Sequence, residues 1–255
     1  VGEGMDLWVI DRFQIRKSNR LDEDNERYWV NPATYTEDWD LITEQVLFKT
    51  YPLADDSGRT MQIKMTACDS GGRPGVTANA YKYYRKLKKQ GNANRFQLVK
   101  GDSRKDAPRV QRRFPDAERK DRYAKARGEV PVLFIHTDLL KDQVSAALDR
   151  TEPGEGYIHF PEWLEESFYL ELCAEQRGPK GWENPRKLRN ESFDLLVYAF
   201  ALMIQLKVEK ITWGCPPNWL TDWDENPLVN EGMAAKLRPE RKTKVDLAEL
   251  AKRLG

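Results

Sequence analysis

The stretch MQIKMTACDSGGRPGV, residues 61–76, decides how the chain is read. Residues 61–68 alternate apolar and polar side chains like a half-buried strand, and the strand runs out in Asp-Ser-Gly-Gly. A helical pattern follows, VTANAYKYYRKLKKQ (76–90), with Gly91 placed to end it, and then a short strand, RFQLVKG (95–101). Strand, helix and strand in this order predict a βαβ unit, whose crossover is usually right-handed. Asp69 then sits at the carboxyl end of a strand, the edge where open α/β sheets bind ligands. Gly71 and Gly72 permit unusual backbone angles and close approach of a substrate. Two readings stand at this point. Asp69 is a turn residue that caps the helix at 76–90, which its local spacing favours, or it is one wall of a metal site.

Working outward, LWVIDRFQI (7–15) and VPVLFIH (130–136) read as strands, and YIHFP closes a turn and short strand over 152–161. Segment 19–35 reads as a polar loop and 177–187 as another. EDWDLITEQVLFKTY (37–51) places Trp39, Ile42, Val46 and Leu47 at helical spacing. Further helices are expected over 137–150, capped by Thr137 or Asp138, over 161–176, and over LRNESFDLLVYAFALMIQLK (188–207), the clearest of all. Strands near residues 7, 61, 95 and 130 alternating with helices predict a three-layer α/β fold, with an antiparallel first hairpin making the sheet mixed. The expected division is one domain over 1–210 and a Trp/Pro-rich, basic tail over 211–255.

The composition narrows the function. The chain has 255 residues, 33% of them charged and 40% hydrophobic, enough to build a sizeable core under a polar surface. The net charge is only +1, so any affinity for nucleic acid must come from a local basic surface. Cys68, Cys173 and Cys215 lack Cys-x-x-Cys spacing, which speaks against a zinc site and fits a reducing compartment. The longest apolar stretch, LLVYAFALMI (195–204), is shorter than the ~18 residues of a membrane span and reads as a buried helix. The opening VGEGMDLWVID already looks like a strand, and the natural polypeptide is expected to extend upstream.

RNESFDLLVYA supplies a possible partner for Asp69. On a helix, Glu191 and Asp194 share a face, and Asp194 is flanked by Phe193, Leu195, Leu196 and Val197. A carboxylate entering an apolar stretch needs a cation, a donor or a metal. A solvated helix stripe paired with Arg186 or Arg189 accounts for it equally well. Taken together, Asp69 and Asp194 are hard oxygen donors of the kind magnesium or manganese prefers. Residues 102–128 are rich in Arg and Lys, including Arg104, Lys105, Arg109, Arg112 and Arg113, and are a candidate contact to a DNA backbone. Five acidic residues within this segment, and Glu129 just after it, dilute its charge, so an ordinary solvated loop is an equal reading. Lys100, at the end of its strand, is a candidate phosphate contact or a plain surface lysine. His159 reads as a structural histidine, and Trp213, Trp219 and Trp223 as an interaction patch or as core.

The ordered set GEGMDLWVID, CDSGG, QLVKG, TDLLKD, YIHFP and RNESFDLLVYA resembles the nuclease domain of the lambda-type phage terminase large subunit, over about residues 1–206. The resemblance implies an RNase H-like fold and an endonuclease that uses two magnesium or manganese ions and no organic cofactor. Its substrate would be concatemeric double-stranded viral DNA in the host cytoplasm. By the same resemblance Asp69 and Asp194 are metal ligands, and Glu191 is a supporting or occasional ligand. The implied partners are the terminase small subunit, the portal protein through the carboxy-terminal tail, and an upstream packaging ATPase. The family's first metal-binding Asp falls before the point where this chain begins, so weak cutting by this segment alone is expected. Asp6 and Asp11 are not assigned to that role. A non-catalytic docking module and a transposase- or resolvase-type nuclease are the rival readings.

Overall fold

The computed structural model describes residues 1–115 and 128–230. They fall into two compact units: Val1–Lys49 with Ile63–Pro217, and Thr50–Gln62 with the described residues from Asn218 onward.

The first unit is organised by a four-stranded sheet in the order Thr66–Asp69, Phe96–Asp102, Val132–His136, Val110–Arg113. The first three strands are parallel, and the edge strand Val110–Arg113 runs antiparallel to its neighbour. The sheet is therefore mixed, but its antiparallel member lies inside the segment expected to be irregular rather than in a first hairpin. Helix Val76–Lys89 makes the crossover between the first two strands. It buries Ala80, Tyr81, Tyr84 and Leu87 against Phe96, Leu98 and Val132 on one sheet face, together with Trp39 and Leu47. Each large apolar side chain fully buried there is worth about 1.5–3 kcal/mol relative to exposure. Three lysines in the last turn complement the negative end of the helix dipole, and Gly91 at φ +77° lets Asn92 N–H reach back to the Leu87 carbonyl at 2.9 Å.

Strand alternation sends Gln97 and Val99 to the opposite face. There Gln97 accepts a hydrogen bond from Gln205 Nε2 (2.9 Å) at the end of helix Glu191–Gln205. That helix packs in turn against helices Thr137–Leu148 and Glu166–Leu172. Helices on both faces of a mixed sheet give the layered α/β architecture expected from the sequence.

Several expected elements differ. Strand 7–15 shrinks to Leu7–Trp8, which pairs in parallel with Ile158–His159. Its partner is that short because Pro161 has no N–H to continue a ladder. The loop at 19–35 contains a hairpin, Lys17–Leu21 with Arg27–Trp29, and the loop at 177–187 contributes to another, Gln176–Gly178 with Gly181–Glu183. The helix expected over 37–51 is Glu37–Leu47, passing from 3₁₀ through α to π geometry. The single strand expected at 61–68 is two. Thr66–Asp69 joins the central sheet, while Thr60–Gln62 belongs to the second unit, between Thr50–Pro52 and Val229–Asn230. In that unit Arg59 binds both Asp55 and Asp224. Helix 137–150 is capped by His136, whose Nδ1 accepts from Leu139 N–H, and not by Thr137 or Asp138. Asp138 instead accepts from the Trp182 N–H in the neighbouring hairpin.

Candidate active site

The turn after Asp69 is built around close backbone contact. Ser70 is fully buried and donates its hydroxyl to the Val99 carbonyl (2.9 Å), while Thr77 donates to the Ser70 carbonyl (2.7 Å). Gly75, at φ +98°, is the residue before helix Val76–Lys89, and no side chain caps that helix. A Cβ at Gly75 would lie 2.4 Å from the Ala33 carbonyl oxygen. Gly75→Ala combines that collision with a left-handed φ, and it is expected to destabilise the domain by about 2 kcal/mol or more in denaturant unfolding. Asp69 therefore does not cap the helix. One of its oxygens accepts from Gly71 N–H (2.9 Å), and the exposed carboxylate has no other partner among the described residues.

Asp69 pairs in register with Val99, so its side chain leaves the sheet on the face covered by helix Glu191–Gln205. Asp194 lies in the first turn of that helix, where the dipole favours an anion. Asn190 precedes the helix without accepting a cap bond from its backbone, and its amide donates to Asp194 Oδ2 (3.0 Å) and to Glu175. Lys141, almost wholly buried, binds Glu175 at 2.5 Å and Asp194 Oδ1 at 3.1 Å. Burial raises the Asp194 carboxyl above its ordinary range; Lys141 opposes this, and the negative charges of Glu175 and Asp69 add to it. Asp69 is thus among the negative charges that act on Asp194. Tyr198, one turn further along the helix, has its hydroxyl pushed up by burial, then by Asp69 and Asp194, and it stays protonated. Glu191 is exposed on the same helix, lining a groove with Arg12, Arg16 and Arg189. Arg12 and Arg189 are held there by the buried Glu171, which also accepts from Ser192.

The expected DNA contacts sit elsewhere. Lys100 alternates onto the face of Leu98, opposite to that of Asp69. Arg104 and Arg113 both bind Asp102, and Arg109 forms a bidentate pair with Glu209 (2.6 and 2.8 Å). Lys105 and Arg112 have no acidic partner among the described residues. Residues 116–127 of the basic segment lie outside the described residues, as do 231–255 of the tail.

Arg104, with Arg113 beside it, holds Asp102 down to about 2. A depressed carboxyl stabilises the fold fully above its unfolded value near 4 and loses that contribution as pH falls through about 2. Asp102→Asn is expected to flatten the acid limb of stability over that window, measured by urea unfolding.

His159 is structural, stacked on Trp8 with centroids 4.6 Å apart and in contact with Asp6 at 3.3 Å. Asp11 binds Lys49 at 2.5 Å, so both early acids are occupied away from Asp69. Among the described residues no group of three or more His, Cys, Asp or Glu is arranged to hold a metal ion. Asp69 and Asp194 nevertheless suit a hard cation, because magnesium is commonly held by one or two carboxylates with water and phosphate oxygens completing its shell.

The family model for the terminase large subunit gpA endonuclease domain matches residues 1–213. The chain belongs to this family. The match runs from the first residue through the RNESFDLLVYA helix, so it spans Asp69, Asp194 and the whole central sheet. No curated protein matches, and no solved structure matches. No helix among the described residues is long and apolar enough to cross a membrane.

Lys141, Glu175, Asn190 and Tyr198 were not assigned to the site from sequence. Lys141 carried a signal: it adjoins Leu140 on a helix whose Leu140, Val144 and Ala147 are buried, where a charge requires a partner. Glu175 carried none, since it lies after the end of its helix.

Proposed function

We propose that this terminase nuclease domain hydrolyses phosphodiester bonds of double-stranded viral DNA with a divalent cation, magnesium or manganese, held by Asp69 and Asp194. The observation that carries this reading is geometric: Asp69 leaves the sheet on the face covered by the helix that carries Asp194 in its first turn, and Asp194 is raised first by burial, with Glu175 and Asp69 adding to it. Like charges gathered in a partly buried site favour a bound cation. Such an ion, when bound, activates water and neutralises charge on the leaving oxygen.

The remaining work falls to the chain. Lys141 and Asn190 hold Asp194 in one rotamer and leave each of its oxygens a further lone pair. Asp69 is fixed by Gly71 N–H and keeps its second oxygen open. Tyr198, whose hydroxyl stays protonated under burial and the charge of both carboxylates, adds a neutral donor to the same helix face. Glu191, exposed in the same first turn, is positioned to support the site from the groove side. Two carboxylates suffice for one ion, and the second ion of a two-metal scheme needs a further donor. An RNase H-like order of strands is part of this proposal. So are the setting in the host cytoplasm on concatemeric DNA, the upstream ATPase, the small subunit as selector of the cutting site, and the portal as partner of the tail. Backbone contacts from Lys100, Lys105 and Arg112 would add affinity without sequence preference.

Supercoiled plasmid nicking with magnesium or manganese, compared with a chelator control, tests the reading. Cation-dependent nicking that disappears in Asp69→Asn supports it; equal nicking by that variant overturns it.

A further inference from the structure

Asp69 stands at one end of a cleft of about 790 Å³ that the catalytic reading leaves unused. Its floor is apolar, from Trp39, Leu41 and Ile42, and its rim carries Tyr28, Trp29 and Tyr35. Trp29 is 64% exposed and Tyr28 46%, an unusual outlay of aromatic surface at one place. We propose that this cleft takes an unstacked base of the DNA strand that is cut next to Asp69, an inference that rests on the nuclease reading above.

Three observations select a nucleotide as occupant. First, flat aromatic walls over an apolar floor match the π faces of a base and bind it with little regard to sequence. Second, the wall is fixed in advance. The buried Asp38 grips Arg20 through two bonds of 3.1 Å and accepts from Asn31 N–H, and Arg20 lies 3.5 Å over the Tyr35 ring. Asn79 donates to the Pro32 and Ala33 carbonyls at 3.0 Å each, and Trp39 donates to Pro32 at 2.9 Å. A site ordered before binding loses less entropy when it is filled. Third, the charges lining the cleft balance, with Arg20 tied to Asp38, and leave Arg73 as the cation beside Asp69 that can meet a phosphate. Arg73 is exposed on the turn after Asp69, lines the cleft, and has no partner among the described residues. Trp29 also forms a wall of the groove that holds Arg16, Arg189 and Glu191, so one strand can pass from Asp69 across Trp29 to the amino-terminal end of the Asp194 helix.

A base stacked in a duplex cannot enter such a cleft, and an unpaired base is the easiest to extract. The test is a short oligothymidylate carrying one 2-aminopurine, titrated with the chain in the presence of a chelator, so that the readout does not depend on the cation. Binding is expected to change the 2-aminopurine fluorescence and to be tighter than binding of the matching intact duplex. Trp29→Ala is expected to weaken binding by about tenfold or more, with Trp29→Phe retaining most of it. Both substitutions fall on an exposed side chain, and Tyr28→Ala provides a second probe of the rim. Unchanged fluorescence on binding, or equal affinity of wild type, Trp29→Ala and Tyr28→Ala, overturns the proposal. Asp194→Asn separates the two readings. It is expected to lose nicking and keep the fluorescence change, whereas nicking that persists in a variant with intact base binding refutes the catalytic assignment and leaves the base cleft standing.

Discussion

Replacing Asp69 or Asp194 by alanine is expected to reduce cation-dependent nicking to the chelator background while leaving the fold in place. Asp69 tolerates removal because its carboxylate is exposed and spends one hydrogen bond on Gly71. Asp194 tolerates it for a different reason. Its carboxyl is raised, first by burial, so the charged form is disfavoured in the folded chain. A raised carboxyl costs stability above its unfolded value near 4, so Asp194→Asn is expected to hold or increase the melting temperature at neutral pH. Loss of activity with retained stability is the pattern of a site held for function. Glu191→Ala is expected to have a smaller effect than either, because Glu191 is exposed at the edge of the site.

Lys141→Met is the second large effect, and it falls mainly on stability. Lys141 is 5% exposed and is the cation shared by Glu175 and Asp194. Its removal leaves those carboxylates close together with only Asn190 between them. Breaking a buried pair from one side costs about 3–5 kcal/mol, most of it the uncompensated charge. Glu175→Gln in the same background is expected to recover much of that loss, since it removes the orphaned charge while keeping an acceptor for Asn190. A double-mutant cycle in urea reads the coupling directly. Equal stability of Lys141→Met and wild type would show that the ammonium does not hold the carboxylates.

The βαβ core around CDSGG was legible because its signals are local: an alternating strand, a helix with its apolar stripe, and a glycine after its last turn. The position of Asp69 at a strand end followed from the same pattern, and the proposed pairing with Asp194 came from motif order. Elements that depend on distant partners were not legible. Strand 7–15 has the composition of a strand, but only Leu7–Trp8 finds an edge to pair with. MQIKMTAC reads as one strand, yet its two ends join different sheets. Likewise, the charges of residues 102–113 looked available for DNA until Asp102 and Glu209 were seen to hold three of the arginines. Segment 19–35, read as a polar loop, instead holds most of a hairpin and supplies Tyr28, Trp29 and Tyr35 to the rim beside Asp69.

The central claim is that Asp69 and Asp194 together bind a divalent cation. Manganese titration followed by the electron paramagnetic resonance signal of the free ion tests it without reference to DNA or to turnover. The account predicts that the wild-type chain depletes the free signal and that Asp69→Ala and Asp194→Ala do not. Depletion by both variants equal to that of the wild type, or no depletion by the wild type, would contradict it.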